Sequence, residues 1–233
     1  MDGAIATKSD GTVVIIAEAN GKQVEKFEGN AGNFSSSTLL EGEYGLPALD
    51  FNLAISDMDG VVASVSDSTN SGTEHAALLW VTVALPDVCR PEEYSKSIIV
   101  DSTGTTHMIF SCWISESNCH LKIFDGTTDT VLSNVTCGNH AEIAVAPDDT
   151  LFVVYGDSNN DLYMKVKAPA SSWASSSAEL IDANYSDSNG LAIGVDGDGQ
   201  IQIAYVDDAS RLRHISTVSG ILQPSEIIHS KHN

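Results

Sequence analysis

Closely spaced acidic side chains are the residues of this sequence whose types and spacing suit metal binding. Asp157, Asn159 and Asp161 stand in a one-three-five pattern, and Asp196 and Asp198 are spaced like the first two ligands of a calcium loop. The first group lacks the glycine and the distal glutamate that complete such a loop. Asp and Asn also favour turns, because their side chains bond their own backbone. We therefore expect hairpin turns at both places, with calcium, the one cofactor that the sequence suggests, as the alternative.

No pattern in the sequence indicates a catalytic centre. The motifs HExxH and GxSxG and the phosphate-binding loop are absent, and the histidines show no tight ligand spacing. Paired carboxylates serve glycosidases, but the sialidase box Ser-x-Asp-x-Gly-x-x-Trp is absent. The arginines, which sialidases use to bind a carboxylate, are only Arg90, Arg211 and Arg213. We therefore predict a protein that is not an enzyme and assign no catalytic residue.

Two tryptophans in polar surroundings are the candidate ligand-binding residues. Trp113 lies in the predicted loop CWISESNC, and Trp173 lies in the segment ASSWASSS. A large ring in a loop is a common contact for sugars or for protein partners. The alternative for each ring is structural packing.

The four cysteines form no CxxC pair, so neither a zinc ribbon nor a thioredoxin-like motif is indicated. Cys112 and Cys119 stand at the two ends of a predicted hairpin loop. Facing positions on paired strands can meet disulfide geometry. We expect either a disulfide between these two residues or two half-buried thiols.

The charge of the chain excludes several classes of partner. The chain has 11 Lys and Arg against 32 Asp and Glu, so that its net charge is −21 and its pI is near 4.3. A protein that binds phosphate backbones needs a basic face, so we expect no nucleic-acid partner. The longest apolar run, AALLWVTVAL, is about half of the roughly 20 residues that cross a bilayer, so we expect no membrane insertion. No signal peptide is visible in the sequence.

An internal repeat is the strongest structural signal. Five segments share the order of an apolar strand, an Asp/Gly turn, a second apolar strand, a polar turn and a third strand. One marker position of the first turn recurs at separations of 49, 44, 45 and 50 residues, at Gly11, Gly60, Gly104, Asp149 and Gly199. We predict a single domain, residues 1–233, with the approximate repeats 1–48, 49–96, 97–140, 141–188 and 189–233.

The strands of each repeat are short and apolar. The segment QIQIAYV alternates, LFVVY is apolar on both faces, and no helical period occurs. A fourth strand follows in most repeats, as in STLLEG, AELIDA and SEIIHS. The pattern predicts an all-β fold, namely a five-bladed β-propeller of four-stranded antiparallel blades. A β-sandwich is the alternative, but it does not explain the period.

Five repeats of about 47 residues resemble, in size and period, the tachylectin-type five-bladed propeller lectins. This resemblance implies binding of N-acetylated sugars in pockets between blades. The chain departs from those lectins in motif, because they are richer in glycine-aromatic signatures and in tryptophan, of which this sequence has three. The phrase VDGDGQIQIAY is similar instead to Asp/Gly-turn repeats of bacterial and phage propeller proteins. Neither resemblance carries a binding residue over to this chain.

The expected function is recognition or structural support without catalysis, on an extracellular or virion surface. The expected partner is a glycan or a protein receptor, because function on such scaffolds lies in the loops. One alternative is a structural virion or assembly protein with an assembly partner and no small ligand. A glycan-processing hydrolase is the second alternative.

Overall fold

The computed structural model describes residues 3–19, 23–30, 33–41, 49–55, 61–67, 76–77, 82–83, 97–115, 118–125, 129–136, 140–186, 190–218 and 221–230. The regular structure of these ranges consists of β-strands and of one short 3-10 helix, Trp173–Ser175. None of the described stretches forms a helix that is long and apolar enough to cross a membrane. Gly60 and Arg90, which the sequence analysis names, lie outside the described residues, as do the remaining two cysteines, Cys89 and Cys137.

The strands follow one another along the chain. They are, in chain order, β1 (Gly3–Thr7), β2 (Val13–Ala19), β3 (Gln23–Asn30), β4 (Asn33–Glu41), β5 (Leu49–Ile55), β6 (Val61–Asp67), β7 (Ala76–Ala77), β8 (Thr82–Val83), β9 (Ser97–Val100), β10 (Thr106–Ser115), β11 (Asn118–Phe124), β12 (Asp129–Thr136), β13 (Ala141–Val145), β14 (Leu151–Gly156), β15 (Leu162–Lys167), β16 (Ala178–Asp182), β17 (Leu191–Val195), β18 (Ile201–Val206), β19 (Arg211–Val218), β20 (Ile221–Leu222) and β21 (Glu226–Ser230).

The strands form separate antiparallel sheets in sequence order. Sheet 1 consists of β1 to β4, sheet 3 of β9 to β12 and sheet 4 of β13 to β16. Sheet 5 contains β17, β18 and β19, with β21 as its fourth strand and β20 paired to the end of β19. The pair β5 and β6 is sheet 2, and β7 pairs with β8. The predicted all-β fold of four-stranded antiparallel sheets is therefore confirmed.

The first strands of successive sheets lie beside one another. Strand β1 contacts β5, β5 contacts β9, β9 contacts β13, and β13 contacts β17. Later strands of each sheet pair outward from this row, from the first strand to the fourth. Neighbouring sheets therefore pack face to face around a common line of inner strands, which is the radial arrangement of propeller blades.

Apolar side chains fill the spaces between these sheets. One cluster joins sheets 3 and 4 and includes Ile109, Leu121 and Val153. A second cluster joins sheets 4 and 5 and includes Val154 and Ile203. Strand β14 is buried at all six positions, because its two faces belong to the two clusters. The run LFVVY is apolar on both faces because each face of β14 packs against another sheet.

Among the described residues, six five-residue hairpin turns share one backbone geometry. In each turn the first N–H donates to the carbonyl of the fifth residue, and the fourth N–H donates to the carbonyl of the first. The fourth residue has a positive φ of 58° to 84°, as expected for a three-residue loop with a G1 bulge. Glycine adopts this conformation at little steric cost, but the chain also places Asp, Asn and Ser there; the six residues are Gly11, Gly104, Asp149, Asn160, Gly199 and Ser210.

Cys112 and Cys119 are both disulfide-bonded. The register of β10 and β11 sets Cys112 opposite His120 and sets Cys119 opposite Trp113. Residues that are directly opposite share a face and successive residues alternate, so the two cysteines lie on opposite faces of sheet 3. The predicted bond between them across the hairpin is therefore incompatible with this register. The alternative of two free thiols is also wrong, because both residues are bonded.

Candidate functional site

Three equivalent turns lie at the same end of sheets 3, 4 and 5. Each joins the first strand of its sheet to the second: residues 101–105 join β9 to β10, residues 146–150 join β13 to β14, and residues 196–200 join β17 to β18. Because the sheets pack face to face, each turn meets the turn of the next sheet. Loops at the ends of a rigid scaffold are the usual place for binding residues.

The turns of sheets 3 and 4 are bonded to each other. The backbone N–H of Ser102 donates to Oδ1 of Asp149 at 2.8 Å, and the Ser102 hydroxyl donates to Oδ2 of the same carboxylate at 2.6 Å. Ser102 is the second residue of its turn and Asp149 is the fourth residue of the next turn. We call this pair of hydrogen bonds the inter-turn link.

The turns of sheets 4 and 5 have a cavity between them instead. Its volume is about 320 Å³, and the residues that line it are Ala146, Pro147, Asp148, Thr150, Phe152, Gly197, Asp198 and Gly199. The positions that form the inter-turn link are here Pro147 and Gly199. Proline has no backbone N–H and glycine has no side chain, so this pair is unable to form the link. The absence of these groups leaves the space open.

The cavity has an apolar side and an acidic rim. Phe152, Pro147 and Ala146 supply apolar surface from sheet 4, and the residues 197–199 of sheet 5 add little bulk. The carboxylates of Asp148 and Asp198 supply hydrogen-bond acceptors, and neither Lys nor Arg is among the described residues of the lining. A ring that offers one apolar face and several hydroxyl donors fits such a lining, since carboxylates accept hydrogen bonds strongly.

The carboxylate of Asp148 is held in its charged form. Its Oδ1 accepts a hydrogen bond of 3.0 Å from the backbone N–H of Thr150. This bond from Thr150 lowers the pKa of Asp148 below its ordinary value of 3.8, because it stabilises the ionised carboxylate. Asp148 is therefore negatively charged at neutral pH and accepts hydrogen bonds without donating any.

The structure places the predicted metal residues in turns. Asp157 Oδ1 accepts from the backbone N–H groups of Asn159 and Asp161 at 2.8 and 3.0 Å. Asp196 Oδ1 accepts in the same way from the backbone N–H groups of Asp198 at 3.0 Å and of Gln200 at 2.8 Å. The expected hairpin turns are thus confirmed at both places. The described part of the chain contains no group of three or more His, Cys, Asp or Glu side chains placed to hold a metal ion.

The two predicted metal groups are not brought together. The turn 157–161 joins β14 to β15, whereas the turn 196–200 joins β17 to β18, and these turns lie at opposite ends of their sheets. Of the five predicted residues only Asp198 lines the cavity. Sequence reasoning missed Asp148, Pro147 and Phe152, although Pro147 stands in the sequence APDDT, the Asp-rich turn of the fourth repeat.

Trp173 is a core residue and not a surface contact. It lies in the 3-10 helix, is only 4% exposed, and packs in the apolar cluster between sheets 3 and 4. This burial favours the alternative of structural packing for the Trp173 ring over a role in ligand binding. The polar neighbours in the sequence are exposed, and the short helix turns the ring alone inward.

Trp113 lies in a strand and not in a loop. Strand β10 continues to Ser115, and the register pairs Trp113 with Cys119 on β11. The hairpin connection is thus shorter than the sequence predicts. The side chain of Trp113 lies outside the description, so its role as a ligand contact stays a prediction.

A second polar cluster lies at the opposite end of sheet 5 from the cavity. The buried carboxylate of Asp207 accepts at Oδ2 from Nε of Arg211 at 2.7 Å and from Nε of Arg213 at 2.6 Å. Its Oδ1 accepts from the backbone N–H groups of Ala209 and Arg211. Burial would raise the pKa of Asp207, but the bonds from Arg213 and Arg211 outweigh it and lower that pKa. This cluster fixes the turn that joins β18 to β19.

No protein-family model matches the sequence, and no curated protein matches it. Solved structures do match. The BP39L lectin from Burkholderia pseudomallei is 10% identical and gives a TM-score of 0.68, over 97% of this chain and 69% of that one. A fungal lectin from Aleuria aurantia, described as a six-bladed β-propeller that recognises fucose, is 11% identical and gives a TM-score of 0.60, over 97% of this chain and 76% of that one.

The fold is a β-propeller. A microbial sialidase, Hadza Hz136, also matches, with 10% identity and a TM-score of 0.60 over 98% of this chain and 58% of that one. At such low identity these likenesses concern the fold, since propellers carry both lectins and enzymes. The cavity between sheets 4 and 5 of this β-propeller is the candidate functional site.

Proposed function

We propose that this β-propeller is a glycan-binding module with five blades and without enzymatic activity. The observation that carries the proposal is the cavity between the turns of sheets 4 and 5, on a fold that known propeller lectins share. Five blades are supported by the five inner strands, β1, β5, β9, β13 and β17, which follow one another in contact.

The chemistry of the cavity favours a saccharide that donates hydrogen bonds. Asp148 and Asp198 accept from sugar hydroxyls, and Phe152 with Pro147 packs against the apolar C–H face of the ring. A negatively charged sugar is disfavoured, because the described lining has no basic side chain and the chain has a net charge of −21. We therefore expect neutral or amino sugars rather than acidic ones.

The proposal includes action outside the cell or on a virion surface. The disulfide bonds of Cys112 and Cys119 support an oxidising compartment. The net negative charge supports the expectation that neither nucleic acid nor an anionic membrane surface is a partner.

A glycan-array screen tests the proposal. The purified protein is screened once with millimolar calcium and once with a chelator, and we expect binding to neutral or amino sugars in at least one condition. Loss of binding on chelation would show that calcium takes part. Absence of binding to every glycan in both conditions would refute the proposed function.

The variant Asp198→Asn links binding to the cavity. We expect it to weaken binding about ten-fold or more, because a hydrogen bond to a charged acceptor contributes about 1.5–3 kcal/mol. The matched control is Asp208→Asn, which removes another exposed carboxylate from a turn of the same sheet and should leave binding unchanged. Turnover of chromogenic glycosides by the wild-type protein would contradict the absence of enzymatic activity.

A structural or assembly role is the second candidate, and exposed aliphatic side chains of sheet 5 favour it. Each of these side chains is at least half exposed: Val218, Ile221, Ile227 and Ile228. Exposed apolar patches commonly mark protein interfaces. Light scattering of the wild-type protein and of the variant Ile221→Ser with Ile228→Ser measures this role. If the wild-type protein self-associates, the variant does not, and no glycan on the array is bound, an assembly role is favoured over glycan binding.

A further inference from the structure

The two junctions that the structure describes between neighbouring complete sheets differ at the positions of the inter-turn link. Between sheets 3 and 4 the inter-turn link joins Ser102 to Asp149 across the junction. Between sheets 4 and 5 the same positions are Pro147 and Gly199, and the cavity lies there. The backbone of the turns is the same in all three sheets. At the positions of the link, the open and the closed junction therefore differ in two side chains and one N–H group.

The link needs both of its residues. Ser102 supplies two donors, the backbone N–H and the hydroxyl, and the two oxygens of Asp149 accept one bond each. Since Pro147 supplies neither donor and Gly199 supplies no side-chain acceptor, both partners of the link are missing at the open junction.

The closed junction contains a polar residue that is incompletely bonded. The position that Phe152 occupies in sheet 4, two residues after the turn, is occupied by His107 in sheet 3. His107 is only 4% exposed, and its Nε2 lies 2.9 Å from Oδ2 of Asp101. Its Nδ1 has no hydrogen-bond partner among the described residues. A buried imidazole nitrogen without a partner is rare and is costly unless a ligand or water reaches it.

We propose that the inter-turn link closes a second saccharide site between sheets 3 and 4, so that the second and fourth residues of each turn decide which junctions bind. This inference rests on the proposed glycan-binding function and adds to it the residues that set the number of sites. Opening the junction between sheets 3 and 4 gives a saccharide access to a site that has His107 where the first site has Phe152.

Reciprocal substitutions test the inference. Ser102→Pro with Asp149→Gly copies the open junction, and Pro147→Ser with Gly199→Asp copies the closed one. The turns tolerate these residues, because proline already occupies the second position at Pro147 and an aspartate already adopts φ of 64° at Asp149. A Cβ at Gly199 meets nothing within 4 Å. The control is Gly104→Asp, which places an aspartate at a fourth position with φ of 83° and leaves both junctions as they are.

Amide chemical shifts report the site that is occupied. The ¹⁵N-labelled proteins are titrated with D-glucosamine and with N-acetyl-D-glucosamine as probes, and with the best binder of the array. In the wild type we expect shifts at residues 197–199 and none at 103–105. The opened variant should add shifts at 103–105, and the closed variant should lose those at 197–199, with affinity at that site at least ten-fold weaker. The control should match the wild type.

The outcomes separate this inference from the proposed function. The fold of the opened variant is checked by circular dichroism. If the wild type shows shifts at 197–199 and the folded opened variant shows no new shifts, the inference is overturned and glycan binding stays intact. Unchanged binding in the closed variant would also overturn it. Absence of any shift in the wild type, together with a silent array, would instead refute glycan binding itself.

Discussion

The substitution Asp207→Asn should destabilise the protein strongly, because it breaks the buried ion-pair cluster of sheet 5. The asparagine keeps a carbonyl oxygen for the backbone N–H groups that Oδ1 of Asp207 binds. On the other side it presents an NH₂ group to the Nε–H donors of Arg211 and Arg213. Two charge-assisted hydrogen bonds are therefore lost. The NH₂ group of the asparagine then faces the N–H donors of the arginines at a position where the Asp207 side chain is fully buried.

The expected loss in free energy of unfolding follows from the burial of the Asp207 carboxylate. Removing one partner of a buried ion pair costs about 3–5 kcal/mol. Arg211 keeps 35% of its side-chain exposure and Arg213 keeps 18%, so water can partly solvate both guanidinium groups. We therefore expect the lower end of that range, about 3 kcal/mol in the free energy of unfolding. The urea midpoint should then fall by about 1 M, for an m-value of about 3 kcal/mol per molar urea.

The matched control is Asp196→Asn in the equivalent turn of β17 and β18. Asp196 accepts the same two backbone N–H bonds, but it is exposed and no described arginine donates a hydrogen bond to it. Its substitution should change the free energy of unfolding by about 0.5 kcal/mol or less. The difference between the variants isolates the arginine bonds. A difference below about 1 kcal/mol would refute this account of the cluster.

The pH dependence of the same pair gives an independent check. The pKa of Asp207 is lowered in the folded state, so its ionised form stabilises the protein fully above the unfolded pKa of about 3.9. That stabilisation is lost as the pH falls through the lower folded value. The stability gap between wild type and Asp207→Asn should therefore narrow below about pH 4. A gap that stays constant down to pH 2 would show that ionisation of Asp207 is not its source.

Three further predictions concern stability and covalent structure. Trp173→Ala should lower the free energy of unfolding by about 3–5 kcal/mol in urea denaturation and leave glycan affinity unchanged, because the ring packs in the core; loss of affinity in a stable variant would contradict this. Burial and the hydrogen bond to Asp182 raise the pKa of Tyr205, so stability should fall as the pH rises above about 10. Tyr205→Phe should reduce that alkaline loss, measured by thermal unfolding. Peptide mapping without reduction should find Cys112 and Cys119 in separate cross-links, and a single peptide pair joining them would contradict the strand register.

The turns and strands were predictable from the sequence because they depend on local chemistry. An aspartate that begins a turn bonds the backbone two and four residues ahead, and the fourth residue must adopt a positive φ. Both requirements lie within five residues, and among the described residues both are met in the turns that begin at Asp101, Asp157, Asp196 and Asp207. The burial of β14 on both faces was equally predictable, since the segment LFVVY has no polar residue that would indicate a solvent-facing side.

The site was not predictable in the same way, because it depends on residues about fifty positions apart. Pro147 contributes to the cavity only because the packing of the sheets places it near Gly199. Ser102 forms the inter-turn link only because the same packing places it near Asp149. The burial of Trp173 was not predictable for a related reason. The polar residues next to it in the sequence are exposed, and the Trp173 ring alone packs in the core. The cysteine pairing failed because a one-residue difference in register moves a side chain to the other face of a sheet.

Strand β14 has a consequence for how the molecule unfolds. All six of its residues are buried, and its five side chains divide between the clusters shared with sheets 3 and 5. Sheet 4 therefore lacks an independent core, and its stability consists mainly of interfaces with its two neighbours, as in other repeat proteins. Loss of either neighbour would expose one complete face of β14 to solvent. Unfolding of sheets 3, 4 and 5 should consequently be cooperative, and the amide protons of β14 should exchange only when all three open together.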